Sequence, residues 1–123
     1  MMTHDVSEEL AVLLSDLVKS KAAVMVEGKK DKAALGKIGV SSSRIFVLSK
    51  KPIFAVAEEV AAVYKEAVIL TDLDEEGKKL YGKLNTLLQR LGVRVDNSLR
   101  NFLFKSTRLR QIEGIDKFII QLG

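Results

Sequence analysis

Two aspartates stand one residue apart in "AVILTDLDEEGKKL", residues 67–80, and a glutamate closes the apolar run of "VMVEGKKD", residues 24–31. Side chains two apart in extended chain point the same way. Asp72 and Asp74 can therefore serve one site while Leu73 turns inward. If the strand before Glu27 lies beside the strand before Asp72, Glu27 joins them. Carboxylates within about 5 Å repel by several kcal/mol per close pair at an effective dielectric near 20, so such a cluster raises a pKa or takes up a cation. Mg2+ or Mn2+, held by one or two carboxylates with waters and phosphate oxygens, suits that chemistry.

The plain alternative is a capped helix. Asp74 is a good N-cap, and Glu75 and Glu76 suit the positive end of a helix. An EF-hand loop beginning at Asp72 finds its glycine at Gly77 but needs glutamate where the chain has Lys83, which rejects it. "GKKDKAAL" lacks the second glycine and the Lys-Ser/Thr of a phosphate loop. With no cysteine and one histidine, His4, in a terminus expected to fray, zinc thiolate sites, disulfides and Ser/His or Cys/His nucleophile systems lack their parts. Any metal must be held by oxygen.

The elements that position these residues follow from periodicity. Val6, Leu10, Leu13, Leu14 and Leu17 predict an amphipathic helix over 6–20. "AAVMVE" (22–27), "RIFVLS" (44–49), "AVILT" (67–71) and "VRV" (93–95) read as short strands, the first buried on both faces. Between them "KKDKAALGKIG" reads as a helix stopping near Gly36 or Gly39, and "FAVAEEVAAVYKE" as a second. "EEGKKLYGKLNTLLQRLG" reads as a third, its Leu80, Leu84, Leu87, Leu88 and Leu91 on one stripe and its end at Gly92. The tail predicts a turn or short helix around "SLRNFLF" and a last helix over 108–122, packed on the sheet through Leu109, Ile112, Ile115, Ile119 and Leu122. Strands alternating with helices at this spacing make an α/β, Rossmann-like fold: about four parallel strands with helices on both faces, joined by right-handed crossovers. The crevice of such a sheet lies at the carboxyl ends of its strands, where both carboxylate segments fall.

The 123 residues make one domain by size, residues 1–123, with core motifs in 22–95, an N-terminal helix and a C-terminal helical extension over 97–122. Apolar residues make up 47% and charged ones 29%, ordinary for a soluble protein. No run approaches a membrane span and no signal-peptide pattern opens the chain, so a cytoplasmic protein is expected, away from membranes. The net charge of +4 is unevenly spread. From Lys78 to Arg110 there are nine basic residues and one acid; from Pro52 to Gly77 there are seven acids and one lysine. A polyanionic partner fits that basic half.

Taken together, "VMVEGKKDKAALGKIG" and, about 45 residues on, "VILTDLDEEGKKL" resemble the Toprim domain. Its pattern is a strand ending in Glu-Gly with an Asp three residues after that Gly, then a strand ending in Asp-x-Asp-x-x-Gly: here Glu27, Gly28, Asp31, Asp72, Asp74 and Gly77. The length and the ending "TRLRQIEGID" are similar to small standalone Toprim proteins of prokaryotes, related to bacterial nucleases that mature small ribosomal RNA. The resemblance implies the catalytic scaffold shared by topoisomerases, primases, recombination mediators and certain nucleases, with Glu27 as general acid/base or metal ligand and Asp72 with Asp74 as Mg2+ ligands. A topoisomerase also needs a nucleophilic tyrosine from another domain, whereas Tyr64 and Tyr81 fall on predicted helices as packing residues.

Nucleic-acid contacts are expected from Lys29 and Lys30, at a helix start on the crevice, from Lys79, Lys83 and Arg90, on one flank of the helix after the aspartates, and from Arg108. Phe102 and Phe104, among Arg100, Lys105 and Arg108, are either core or base-stacking residues. Gln111 and Glu113 carry no assignment. The reading is thus a Mg-dependent protein acting on nucleic-acid phosphodiesters, either a small RNA-maturation nuclease or the catalytic module of a DNA/RNA processing complex. The alternatives are a non-catalytic nucleic-acid-binding or assembly module that retains the metal site and, more weakly, a small-molecule phosphotransferase. Protein partners or a homo-oligomer stay open.

Overall fold

Ala23, Val24, Met25 and Val26 have no side-chain polar atoms beyond a thioether, and all four are fully buried as β1 (Ala23–Val26). The computed structural model describes residues 6–122, with side chains to residue 121; His4 and the side chain of Leu122 lie outside the described residues. β2 (Ile45–Val47) and β3 (Glu66–Ile69) flank β1, and β4 (Arg94–Val95) pairs with β3, all parallel, in the order β2-β1-β3-β4. Chain direction is preserved, but the order reverses between β1 and β3. That is the switch point where α/β sheets open a crevice.

Helices cover both faces. On one, Val24, Val26, Val68 and Leu70 meet α1 (Val6–Lys19), α2 (Lys29–Lys37), α5 (Ser98–Ser106) and α6 (Ile115–Leu122). On the other, Ala23, Met25, Ala67 and Ile69 meet α3 (Ile53–Val63) and α4 (Glu75–Arg90). Leu84 and Leu88 of α4 are fully buried, and truncating either to alanine would cost about 2–5 kcal/mol. The predicted leucine stripe loses Leu91, which lies past the helix end and is 43% exposed. Gly39 (φ +108°) and Gly92 (φ +84°) follow α2 and α4 in left-handed backbone, which stops each helix.

Three differences from the sequence reading bear on the site, each with a physical reason. Arg44 does not open the second strand. It sits in a 3-10 turn with its buried guanidinium donating to the carbonyls of Leu17 and Val18, so it caps α1 and shortens β2. Tyr64 is not helical: it ends α3 in extended backbone and packs edge-on against Phe46, with ring centroids 5.7 Å apart. The predicted helix over 108–122 is broken. Residues 107–111 run without helix, a 3-10 turn spans Ile112–Gly114, and only α6 remains, packed against α2 within the core on that face of the sheet. Polar backbone bonds at the crevice hold this strap open, as described next.

Candidate functional site at the β1–β3 switch point

Neighbouring β1 and β3 bring their carboxyl ends side by side, and Glu27 reaches across: its Oε2 accepts the Asp72 amide at 2.8 Å. Each strand then turns into a helix through one short motif. At α2, Gly28 is the N-cap residue and its amide donates to Asp31 Oδ2 at 2.9 Å. At α4, Asp74 is the N-cap and its Oδ1 accepts the Gly77 amide at 2.8 Å. Leu73 between the aspartates is buried, as the alternation requires.

The strap closes a third side. The Leu73 amide donates to the Arg110 carbonyl at 2.7 Å, and the Ile112 amide donates to Asp72 Oδ1 at 2.9 Å. These two bonds take backbone groups that a helix over 108–122 would have needed internally. Ile112 and Ile115 anchor the strap in the core. Beneath the turn, buried Arg100 of α5 donates to the carbonyls of Thr71 (2.6 Å) and Asp72 (3.0 Å) and lies 4.8 Å from the Tyr81 ring. Tyr81 also donates to Asn97 Oδ1 at 2.6 Å, so both tyrosines are occupied by packing.

The resulting field is acidic. Burial pushes the Glu27 carboxyl above its ordinary value against the Asp72 amide, which favours the anion, and repulsion from Asp72, Asp74 and Asp31 adds to the rise. Burial raises Asp31 as well, opposed by the Gly28 amide and reinforced by Asp72 and Glu113. Asp72 is raised by burial, opposed by the Ile112 amide, with Asp74 and Glu113 adding repulsion and Arg100 relieving it. Burial in turn lowers Arg100, while Tyr81, Glu27, Asp72 and Asp74 favour its charge.

The geometry thus brings together Glu27, Gly28, Asp31, Asp72, Asp74 and Gly77. Lys29 and Lys30 are exposed on the first turn of α2, beside this edge. Arg108 and Asp74 line one open cleft of about 640 Å³ with Arg110, Glu113 and Lys117. Lys79 and Lys83 instead line a groove between α3 and α4 with Ile53 and Phe54. Arg90 ends α4, about 22 Å along the axis from its first residue, away from the carboxylates. The two phenylalanines separate: Phe102 packs against the core, and Phe104 is exposed. Arg100, Arg110 and Glu113 are additions that no site motif announced. Arg100 had a faint signal, since it lies one residue after Leu99 and three before Leu103, on the buried side of α5. Glu113 had none, because only the strap's long-range bonds carry it to the site.

The donors here are carboxylate oxygens, the set a hard cation takes, and mutual repulsion adds to burial in raising Glu27, Asp31 and Asp72. No group of three His, Asp or Glu side chains among the described residues stands as a ready cage. A magnesium ion would therefore take one or two of these carboxylates and complete its shell with water, its usual habit. No helix among the described residues is long and apolar enough to cross a membrane.

No protein-family model matches the chain. It is similar to a UPF0292 protein of Pyrococcus abyssi, 38% identical over 104 residues that cover 85% of this chain and 76% of that one. A UPF0292 protein of Methanocaldococcus jannaschii is 31% identical over 99 residues, covering 78% and 77%. Among solved structures, a protein from Aquifex aeolicus superposes with a TM-score of 0.75 at 32% identity, over 90% of this chain and 98% of that one. The identity and coverage shared with these proteins place the relationship beyond fold alone: this chain belongs to the UPF0292 family.

Proposed function

We propose that this chain is a Toprim protein that uses magnesium or manganese to act on nucleic-acid phosphodiesters, as a small nuclease or the catalytic module of a processing complex. The observation that supports it is the meeting of Glu27 and Asp72 across the β1–β3 switch point, with Asp74 and Asp31 in the same field. Asp72 and Asp74 would hold the ion. Bound there, it would supply charge stabilisation for a transferring phosphoryl group and a more acidic water. Glu27, its Oε2 engaged by the Asp72 amide and its carboxyl raised by burial above the ordinary value, would take or give the proton at Oε1. Arg100 would fix the aspartate turn from below through the Thr71 and Asp72 carbonyls. The basic side chains of Lys29, Lys30 and Arg108 would meet the phosphate backbone.

A second reading has its own support. Glu27, Asp72 and Asp74 each spend one oxygen on a backbone amide, the arrangement a purely structural brace would also show. The chain would then bind nucleic acid without turnover. Mn2+ binding and cleavage of structured RNA and single-stranded DNA, measured for wild type and Asp72→Asn, separate the two. Metal-dependent cleavage lost in Asp72→Asn supports the enzyme; cleavage indifferent to metal or to the substitution overturns it. Salt-dependent binding without cleavage in either protein favours the binding module.

A further inference from the structure

We propose that nucleic acid reaches the carboxylates as a single strand, over a platform formed by Phe104 with Lys78 and Arg110; this rests on the reading of the site as one for phosphodiesters. Leu99 and Leu103 of α5 are buried, whereas Phe104 is 38% exposed. The Lys78 ammonium stands 4.4 Å from its ring centroid and the Arg110 guanidinium 5.1 Å. One ring therefore gathers two cations from two different elements, and cation–π attraction fixes their otherwise mobile chains.

Among the described residues, neither cation has a close carboxylate partner. Lys78 has a loose partner in exposed Glu75 at 3.8 Å, and Arg110 donates to the carbonyls of Thr107 and Leu109. The platform is also tied to the aspartates on both sides. The Lys78 amide donates to the Asp74 carbonyl at 3.0 Å, and the Arg110 carbonyl accepts the amide of Leu73, the residue between Asp72 and Asp74. Arg110 also lines the cleft of Asp74, Arg108, Glu113 and Lys117. The groove of Lys79 and Lys83 shares Lys78 but runs between α3 and α4 toward Ile53 and Phe54, and its Lys79 faces Glu76 at 4.0 Å.

Both cations lie over the ring, so an incoming base would stack on Phe104 by displacing one of them, and the displaced charge would turn to the strand's phosphates. Bases inside a duplex present no free face to it, so the platform selects an unpaired strand. The test is fluorescence anisotropy of the full chain in EDTA, with a short labelled oligouridylate and a blunt duplex of equal length. Wild type is expected to bind the single strand about tenfold or more tighter than the duplex, and Phe104→Ala to lose about five- to hundredfold of single-strand affinity with duplex binding unchanged. Phe104→Leu, which keeps an apolar side chain without a ring, is expected to bind as weakly as Phe104→Ala; alanine at Lys78 and Arg110 should flatten the salt dependence. Equal affinity for duplex, or wild-type binding by either Phe104 variant, overturns the platform. Because EDTA silences turnover, these outcomes stand apart from the enzymic reading: single-strand binding without any cleavage upholds the platform and sinks the enzyme, and cleavage with an indifferent Phe104 does the reverse.

Discussion

The two helix starts at the switch point are the same motif written in opposite directions. Gly28-x-x-Asp31 sends an amide from the first position to a carboxylate at the fourth, and Asp74-x-x-Gly77 receives at the first position an amide from the fourth. Their surroundings differ sharply. Asp31 is buried and braces its own loop, while Asp74 is exposed on the cleft wall. An added Cβ on Gly28 would meet only Asp31 Oδ2 at 3.9 Å, an ordinary contact, whereas on Gly77 it would stand 1.8 Å from the Asp72 carbonyl oxygen. One glycine is demanded by packing and the other is not. A shared hydrogen-bond pattern therefore does not imply a shared reason for the residue.

The sharpest break of that comparison is Gly77→Ala. The Asp72 carbonyl it would strike is the one Arg100 holds, and the Gly77 carbonyl accepts the Thr71 hydroxyl at 2.7 Å, so relief of the clash undoes the turn under both aspartates. A loss of about 3 kcal/mol or more is expected, read by urea unfolding. Gly77→Ala with wild-type stability would show that the turn yields freely, and the contrast between the two glycines would fail.

Asp72→Asn separates chemistry from packing at the α4 side. The amide oxygen of asparagine still accepts the Ile112 amide, and one of several mutually repelling charges is gone. Stability should hold or rise, while metal-dependent cleavage, if the proposed function is right, should fall about a hundredfold or more. A clear loss of stability would reveal the Asp72 charge as a structural partner of Arg100 before anything else.

Acid titration reads both helix starts at once. Glu27, Asp31 and Asp72 sit above their ordinary values of 4.5, 3.8 and 3.8, so the folded state holds these protons more tightly than the unfolded one. Their stabilising contribution is fully present below the ordinary values and is lost as pH rises through the folded ones. Asp96, lowered by its bonds from Ser98, acts with the opposite sign over a lower window. In EDTA the melting temperature should therefore rise as pH falls from neutrality toward the ordinary values of these carboxyls. The slope should be smaller in Asp72→Asn, and Mg2+ at neutral pH should recover part of the gain in wild type. A flat profile in EDTA would mean that solvent already screens the cluster.

Much of this arrangement was legible in the sequence because it is local. Four short apolar runs alternating with helical periodicity specify a parallel sheet, and carboxylates closing two of those runs must reach its carboxyl edge. Asp74 and Gly77 could be placed at a helix start from spacing alone. What escaped was set by contacts distant in sequence. Arg44 looked like a strand residue because nothing near it announces the open carbonyls of α1, and the strap looked helical because Leu109, Ile112 and Ile115 keep a helical spacing. Two bonds to residues 72 and 73 outweigh that spacing. Phe102 and Phe104 were indistinguishable by type; packing against the core holds the first, while Phe104 is exposed beneath Lys78 and Arg110.

The smallest effect belongs to Gly28→Ala, and it sharpens the comparison most. Gly28 has φ −142° and ψ 178°, extended backbone open to any residue, and its amide stays free to meet Asp31. Losing the residue's flexibility in the unfolded chain offsets any small crowding, so unfolding should shift by less than about 1 kcal/mol in either direction. If that variant folds normally yet loses cleavage or single-strand binding, then the absent side chain at Gly28 is a requirement of whatever approaches the end of β1. The two glycines would then divide cleanly, Gly77 answering to the chain's own backbone and Gly28 to the backbone of a bound phosphodiester.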